Sequence, residues 1–365
     1  MKESRRNFIR TVSCSTFGML NFPVLLGANN MIIENIQKKD SKEETLFRLF
    51  QNPPMTSRPF VRWWWNGDRI EKNEIVRQLD ILEDAGIGGV EINPIMFPGD
   101  DDMGIKALQW LSKEWVEMVY FAAEEVHKRG MICDIIVGSG WPFGGEFLTK
   151  EEQTQYLSVN VDPYKLVGPG KKRFSKQELL GRIDKPDMES IELYSVRMVP
   201  SYMDKFDEGI ELIDKFEGDF LNVEVPYYID QQIYVTLKYT GTQSVTLGAP
   251  GASGPVLNHY NKDAVTKYLN KMSDAFNAFG DGMGTSFRSL FCDSLELHGK
   301  NWCDDMLEEF EKRRGYSLSP FVPFILTGHN QGAKIEGQAL DEINRVRYDF
   351  ETTKHDTPSG SVQAE

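Results

Sequence analysis

Four short clusters in this chain combine carboxylates, amides and indoles. They are Trp63-Trp-Trp65-Asn66-Gly67-Asp68, Glu91-Ile-Asn93, Gly138-Ser-Gly-Trp141 and Asp293-Ser-Leu-Glu296. Each trails an apolar, β-favouring run, where parallel βα folds place reactive groups. One histidine, His298, lies nearby, so the set suits hydrolysis by carboxylates better than hydride transfer or serine nucleophiles. Glycosidic cleavage needs two carboxyl groups about 5 to 9 Å apart, one of them raised in pKa to act as acid. Indoles offer a flat wall to the C–H faces of a sugar, and amides and acids take its hydroxyls.

Glu296 is the sharpest candidate, because an acidic cluster just past an apolar strand has little structural reason to be there. Asp293 could orient it, bind a hydroxyl or ligate a metal; alternatively Asp293 caps the next turn and Glu296 is solvated. Glu91 alternates with Ile92, so it points into the strand-end mouth or pairs with Arg62 on a neighbouring strand. A strand absorbs one or two indoles in its core. A third beside Asn66 suggests that Trp64 and Trp65 form a sugar platform, against the alternative of a bulky core. Gly138-Ser-Gly-Trp-Pro-Phe-Gly-Gly145 has the glycine density of a phosphate loop but no Gly-Lys-Ser/Thr, which argues against a nucleotide. It reads as an aromatic loop over a sugar, carrying Trp141, or as a tight structural turn. Asp100-Asp101-Asp102 lacks EF-hand spacing and reads as a solvated loop.

Several elements must position these residues. Phe60–Trp65 reads as a strand, followed by a helix from about Lys72 to Ala85 with Ile75, Leu79 and Leu82 near helical spacing. A second strand, Val90–Asn93, stops at Pro94. A helix from about Ser112 to Lys128 buries Trp115, Val119, Ala122 and Val126, and Met131–Val137 is a continuous buried strand. This βαβαβ order implies a parallel sheet with right-handed crossovers. From about Gln155 to Leu257 the rhythm changes to short strands, among them Glu192–Val199, Phe220–Val225, Gln232–Tyr239 and Ser244–Leu247: an inserted antiparallel β domain. Helix Asp263–Phe279, strand Ser289–Asp293, a charged helix from about Cys303 to Arg314 stopped by Gly315, and a helix from about Leu340 to Lys354 follow. Four βα units bracket one insertion, whereas a (β/α)8 barrel needs eight. A partial TIM-like barrel and an open sheet both fit.

At 365 residues the chain has room for several domains. Its formal net charge of -14 argues against nucleic acid and anionic membranes and suits a neutral carbohydrate partner. The four cysteines show no CxxC or zinc spacing. Ser4-Arg5-Arg6-Asn7-Phe8 resembles a twin-arginine export motif, followed by a stretch too short and polar for a membrane span, which points to a periplasmic location. The expected organisation is an export signal over 1–28, a linker over 29–50, the first βα units over 51–154, the β-rich insertion over 155–257, further βα units over 258–356 and a polar tail over 357–365.

Arg62-Trp-Trp-Trp-Asn-Gly67, the Gly-Gly-Val-Glu-Ile-Asn run at 88–93, Gly138–Gly145, Cys292-Asp-Ser-Leu-Glu296 and Arg313-Arg-Gly-Tyr316 occur in that order. Together they resemble the N-terminal catalytic portion of glycoside hydrolase family 106, the α-L-rhamnosidases, over about Phe60 to Asp349. The resemblance implies a (β/α)8 barrel with appended β-sandwiches and an inverting mechanism. It also implies active-site calcium, with no ligands readable from the sequence, and plant-type rhamnosides as substrates. It puts Glu296 in the catalytic pair, with Asn66, Glu91 and Trp141 lining the sugar pocket; Trp64, Trp65, Asn93 and Asp293 are further candidate sugar contacts by their positions near the strand ends. Family members are far longer, and their partner glutamate is expected on a later barrel strand, so this chain is expected to hold an incomplete catalytic domain. Two other readings stand beside it: a carbohydrate-binding protein without turnover, and an open-sheet isomerase or lyase, against which the scarcity of histidine ligands counts.

Overall fold

The computed structural model describes residues 42–96, 104–161, 164–181, 190–225, 229–278, 283–328 and 331–363. The export motif, Cys14 and Asp100–Asp102 lie outside them. The chain divides into two compact units, Met1–Ser57 and Arg58–Glu365. In the first, helix α1 (Lys42–Gln51) occupies part of the stretch expected as a linker. Glu43 and Glu44 in its first turn and Arg48 in its last complement the helix dipole, and Leu46, Phe47 and Phe50 are exposed.

The second unit opens with β1 (Phe60–Asn66), α2 (Lys72–Asp84), β2 (Gly89–Ile95), α3 (Lys113–Lys128) and β3 (Ile132–Ile136). The expected alternation is therefore present, and Trp115, Val119, Ala122 and Val126 are all buried in α3. Ser112 caps that helix, its side chain accepting from the Trp115 amide. β2 continues through Pro94, where the sequence predicted a stop. Its register with β3 ends at Ile92, and the Pro94 carbonyl, on the same side as the missing N–H, accepts from the Ser139 hydroxyl. The proline thus forfeits no ladder bond. Gly89 admits no side chain: a Cβ there would lie 2.2 Å from the Phe60 ring and 2.7 Å from the Ile132 carbonyl.

Residues 155–240 form mainly antiparallel strands: β4 (Gln155–Asn160), β5 (Lys165–Leu166), β6 (Gly170–Ser175), α4 (Lys176–Leu180), β7 (Ile191–Pro200), β8 (Tyr202–Met203), β9 (Ile210–Glu211), β10 (Phe216–Glu217), β11 (Phe220–Val225) and β12 (Gln231–Thr240). One sheet runs β4-β12-β7-β9 with β5 also on β12; another runs β10-β11-β6. Ser244–Leu247 forms isolated bridges to Trp141 and Pro255 instead of a strand. The chain then returns through α5 (Lys262–Asn277) and α6 (Met283–Ser286) to β13 (Leu290–Phe291), which completes a parallel sheet in the order β1-β2-β3-β13. A closed barrel is not seen among the described residues: four parallel strands form an open sheet.

The last helices correct the expected domain plan. Among the described residues, α7 (Met306–Arg314), α8 (Val322–Ile325) and α9 (Gly337–Gln363) do not alternate with further strands of the parallel sheet. Trp302, Met306, Phe310, Phe324, Val346 and Phe350 instead form one core with Leu157, Val161, Val199 and Tyr234 of the antiparallel sheet. Between α8 and α9, β14 (Lys334–Ile335) pairs with β8. The opposite face of that sheet buries Val196, Ile233, Val235 and Leu237 against Leu221 and Phe174 of the three-stranded sheet. α9 also runs on through the residues expected as a polar tail, although Pro358 removes one donor. No described helix is long and apolar enough to cross a membrane.

Candidate active site

Strand register decides what faces where. Arg62 on β1 lies beside Glu91 on β2, and Glu91 beside Asp134 on β3, so three charged residues form one row across the concave face. Arg62 Nε is 3.2 Å from Glu91 Oε1, which realises the cross-strand ion pair. Asn93 Nδ2 donates to the same glutamate oxygen at 3.0 Å. On the far side, Arg288 donates from Nε to Asp134 at 3.1 Å and from Nη2 to the other carboxylate oxygen. Burial is the largest influence on Glu91 and raises its pKa, while Asn93 and Arg62 pull the other way.

The sheet curls so strongly that its two edge strands meet through side chains. Arg62 Nη1 donates to Asp293 Oδ2 at 2.9 Å, and its guanidinium lies 4.9 Å from the centre of the Phe291 ring. Reciprocally, the Arg288 guanidinium lies 4.4 Å from the Phe60 ring. Phe60, Arg62, Glu91, Asp134, Arg288 and Phe291 line a cavity of about 350 Å³ in this trough.

The tryptophan run splits between the two faces. Trp64 shares the trough face with Arg62, whose guanidinium lies 5.2 Å from its ring, and is 41% exposed. Trp63 and Trp65 point the other way. Trp63 Nε1 donates to Gln78 on α2 at 2.6 Å, and Trp65 packs edge-on to Trp115 of α3. The expectation of Trp65 as a sugar platform is therefore corrected: period-two alternation places it in the sheet–helix core. Asn66 is exposed at the end of β1. Asn93 is buried on the trough face beside Trp64, with its Oδ1 unpartnered.

Glu296 sits in an irregular segment after β13 and is exposed. Ser294 Oγ donates to its Oε1 at 3.1 Å, and Gln243 Nε2 donates to its carbonyl at 2.7 Å. Asp293 accepts from the Ser294 amide at 2.8 Å through the oxygen not used by Arg62. The structure thus brings Trp64, Glu91, Asn93 and Asp293 together around Arg62, with Glu296 three residues beyond Asp293.

The glycine-rich loop is a docked turn. Trp141 bridges Thr246 and Gly144 bridges Val256. A Cβ on Gly140 would lie 2.4 Å from the Thr246 carbonyl, and one on Gly144 2.1 Å from that of Pro255. The glycines therefore admit backbone against backbone. Trp141 is half-buried there.

One acid escaped the sequence reading, and another, Asp68 of the first cluster, lies where no open site would put it. Asp134 sits inside the apolar run Met131–Val137, yet its register with Glu91 turns it into the trough; one carboxylate in an otherwise apolar strand was the signal that could have found it. Asp68, just past the Asn66-Gly67 turn, is fully buried with φ +50, and neither carboxylate oxygen has a hydrogen-bond partner. Burial pushes its pKa up to about 8; the neighbouring Trp115 indole opposes this but completes no hydrogen bond.

Calcium, implied by the resemblance, finds no fit among the described residues. No group of three or more His, Cys, Asp or Glu side chains is placed to hold a metal ion. The acids of the trough are already neutralised by Arg62 and Arg288. Cys133, Cys292 and Cys303 are free thiols.

The parallel βα sheet thus carries Glu91 and Asp134 within its strands, Asp293 just past β13 and an exposed indole, Trp64, on one face. The sequence matches the alpha-L-rhamnosidase family Glyco_hydro_106 over residues 51–178 and 201–357, and the chain belongs to that family. Among solved structures, it resembles the rhamnosidase from Novosphingobium sp. PP1Y with a TM-score of 0.58 and 17% identity, over 88% of this chain and 45% of that one. Among curated sequences, it is 24% identical over 329 residues to a Formosa agariphila protein named "Putative beta-glucuronidase", covering 81% of this chain and 28% of the relative. The chain thus spans less than half the length of either.

Proposed function

We propose that this chain carries part of the catalytic domain of a glycoside hydrolase acting on terminal α-L-rhamnosides of plant-type glycans. The observation that supports this best is Glu296, an exposed carboxylate accepting from Ser294 Oγ at 3.1 Å, three residues beyond the Asp293 that Arg62 engages. In the inverting reaction one carboxylic acid protonates the glycosidic oxygen while a second carboxylate removes a proton from the attacking water. Glu296 supplies one of these two groups. Trp64 offers its exposed face to the sugar ring, and Asn66, Glu91, Asn93, Trp141 and Asp293 contribute hydroxyl contacts at the mouth. The protein acts after export, in keeping with the twin-arginine-like start of its sequence. Proton NMR of the first anomer released from an aryl α-L-rhamnoside tests the mechanism. β-Rhamnose appearing first supports inversion, and α-rhamnose appearing first contradicts it.

One observation favours a second reading. Glu91, Asp134 and Asp293 are all engaged by arginines, an arrangement suited to holding a sugar without cleaving it. Rhamnoside binding by calorimetry with no released rhamnose would select this binding role.

A further inference from the structure

Segment 292–298 has neither helix nor strand, so a carboxylate on it has no regular element to fix it. A reacting group must nevertheless be held within about half an ångström of its working geometry. Hydrogen bonds supply the missing support in sequence. Arg62 Nη1 donates to Asp293 Oδ2 at 2.9 Å, the Ser294 amide donates to Asp293 Oδ1 at 2.8 Å, and Ser294 Oγ donates to Glu296 Oε1 at 3.1 Å. Arg62 is itself anchored by Glu91 and by the rings of Trp64 and Phe291, at 5.2 and 4.9 Å. Its strand, β1, is at the opposite edge of the sheet from β13 and shares no ladder bond with it.

We propose that Arg62 is a positioning residue, orienting Glu296 from across the trough through Asp293 and Ser294. The inference rests on the reading of Glu296 as an acting carboxylate. The planar guanidinium fork can reach both partners at once, since Nε serves Glu91 while Nη1 serves Asp293, and the cation also lies within cation–π reach of two rings. A lysine ammonium keeps the charge but cannot reproduce that geometry. Asp293 divides its two oxygens between the arginine and the Ser294 amide, so a displaced Arg62 frees the carboxylate and the segment behind it.

The test compares Arg62→Lys, Asp293→Asn and Ser294→Ala in the full chain, by steady-state hydrolysis of an aryl α-L-rhamnoside and by the 13C carboxyl shift of labelled Glu296. Arg62→Lys should lower kcat about tenfold to hundredfold while KM stays within about threefold, as expected for a misplaced reacting group. Combining it with Asp293→Asn should cost little more than either change alone, because both break one chain. Ser294→Ala alters only the last link and should lower kcat in the same direction, which keeps the test open if the arginine variant fails to fold. The Glu296 carboxyl shift should move in Arg62→Lys and Ser294→Ala whether or not the wild type turns over substrate. An inactive wild type would therefore count against the hydrolase reading alone. An unmoved Glu296 signal, or unchanged kcat in folded Arg62→Lys, overturns the proposal.

Discussion

Trp64 and Trp65 are adjacent in the chain and serve opposite sides of the sheet. Trp64 lies 41% exposed in the trough beside Arg62, and Trp65, 4% exposed, packs edge-on to Trp115. Truncating them should therefore give separable effects. Trp65→Ala should destabilise the fold by about 3–5 kcal/mol, as for other buried tryptophans. Trp64→Ala should cost less than about 1 kcal/mol in urea denaturation but weaken rhamnoside binding. If Trp64→Ala unfolds the protein as readily as Trp65→Ala, the trough assignment is wrong.

Asp68 makes stability fall as pH rises. Its folded pKa of about 8 lies above the unfolded value of 3.8, so between those values the folded state holds a proton that the unfolded chain has released. The stabilising contribution is complete below the unfolded value and is lost toward pH 8, at a slope approaching about 1.4 kcal/mol per pH unit. Asp68→Asn keeps the shape without the titration. Its Tm should vary less with pH than that of the wild type between pH 5 and 8, and parallel profiles would contradict the assignment.

His259 works in the opposite direction. It is fully buried against Phe143, and burial lowers its pKa from 6.5 to about 4. Below pH 6.5 the unfolded chain takes up a proton that the folded chain refuses, so stability falls as pH drops toward 4. His259→Gln should remove part of this acid sensitivity, measured as the midpoint of acid unfolding by near-UV circular dichroism.

The docked loop gives a backbone prediction. Gly144→Ala would set a Cβ 2.1 Å from the Pro255 carbonyl, which no flexible side chain can relieve. A loss of about 2 kcal/mol or more follows from forcing two backbones apart. A variant as stable as the wild type would mean that the loop stands free of residues 244–257.

These contrasts mark what the sequence could reveal. The order β1-α2-β2-α3-β3 was legible because its hydrophobic periods are long and punctuated by Gly86 and Gly130, both with positive φ. Asp293 was legible as a strand-end acid and Glu91 as an acid on the trough face, although β2 runs four residues past Glu91; the Arg62–Glu91 pair was among the alternatives. Asp134 was hidden because a continuous apolar run conceals which residue faces a cavity. The docking of α7 and α9 on the antiparallel sheet was not legible, since an apolar helix face does not name its partner. The glycines of 138–145 were visible as a turn, but the backbone they admit belongs to residues 246–256, far along the sequence.

The most direct measurement is hydrolysis of an aryl α-L-rhamnoside by the purified chain beside its Glu296→Gln variant, with folding verified for both. Whatever rhamnose the wild type releases should fall by about a hundredfold or more in the variant, the scale expected when a general acid or base is lost; release by the wild type would also place the second carboxylate within this chain. Equal turnover by the two proteins would contradict the role of Glu296.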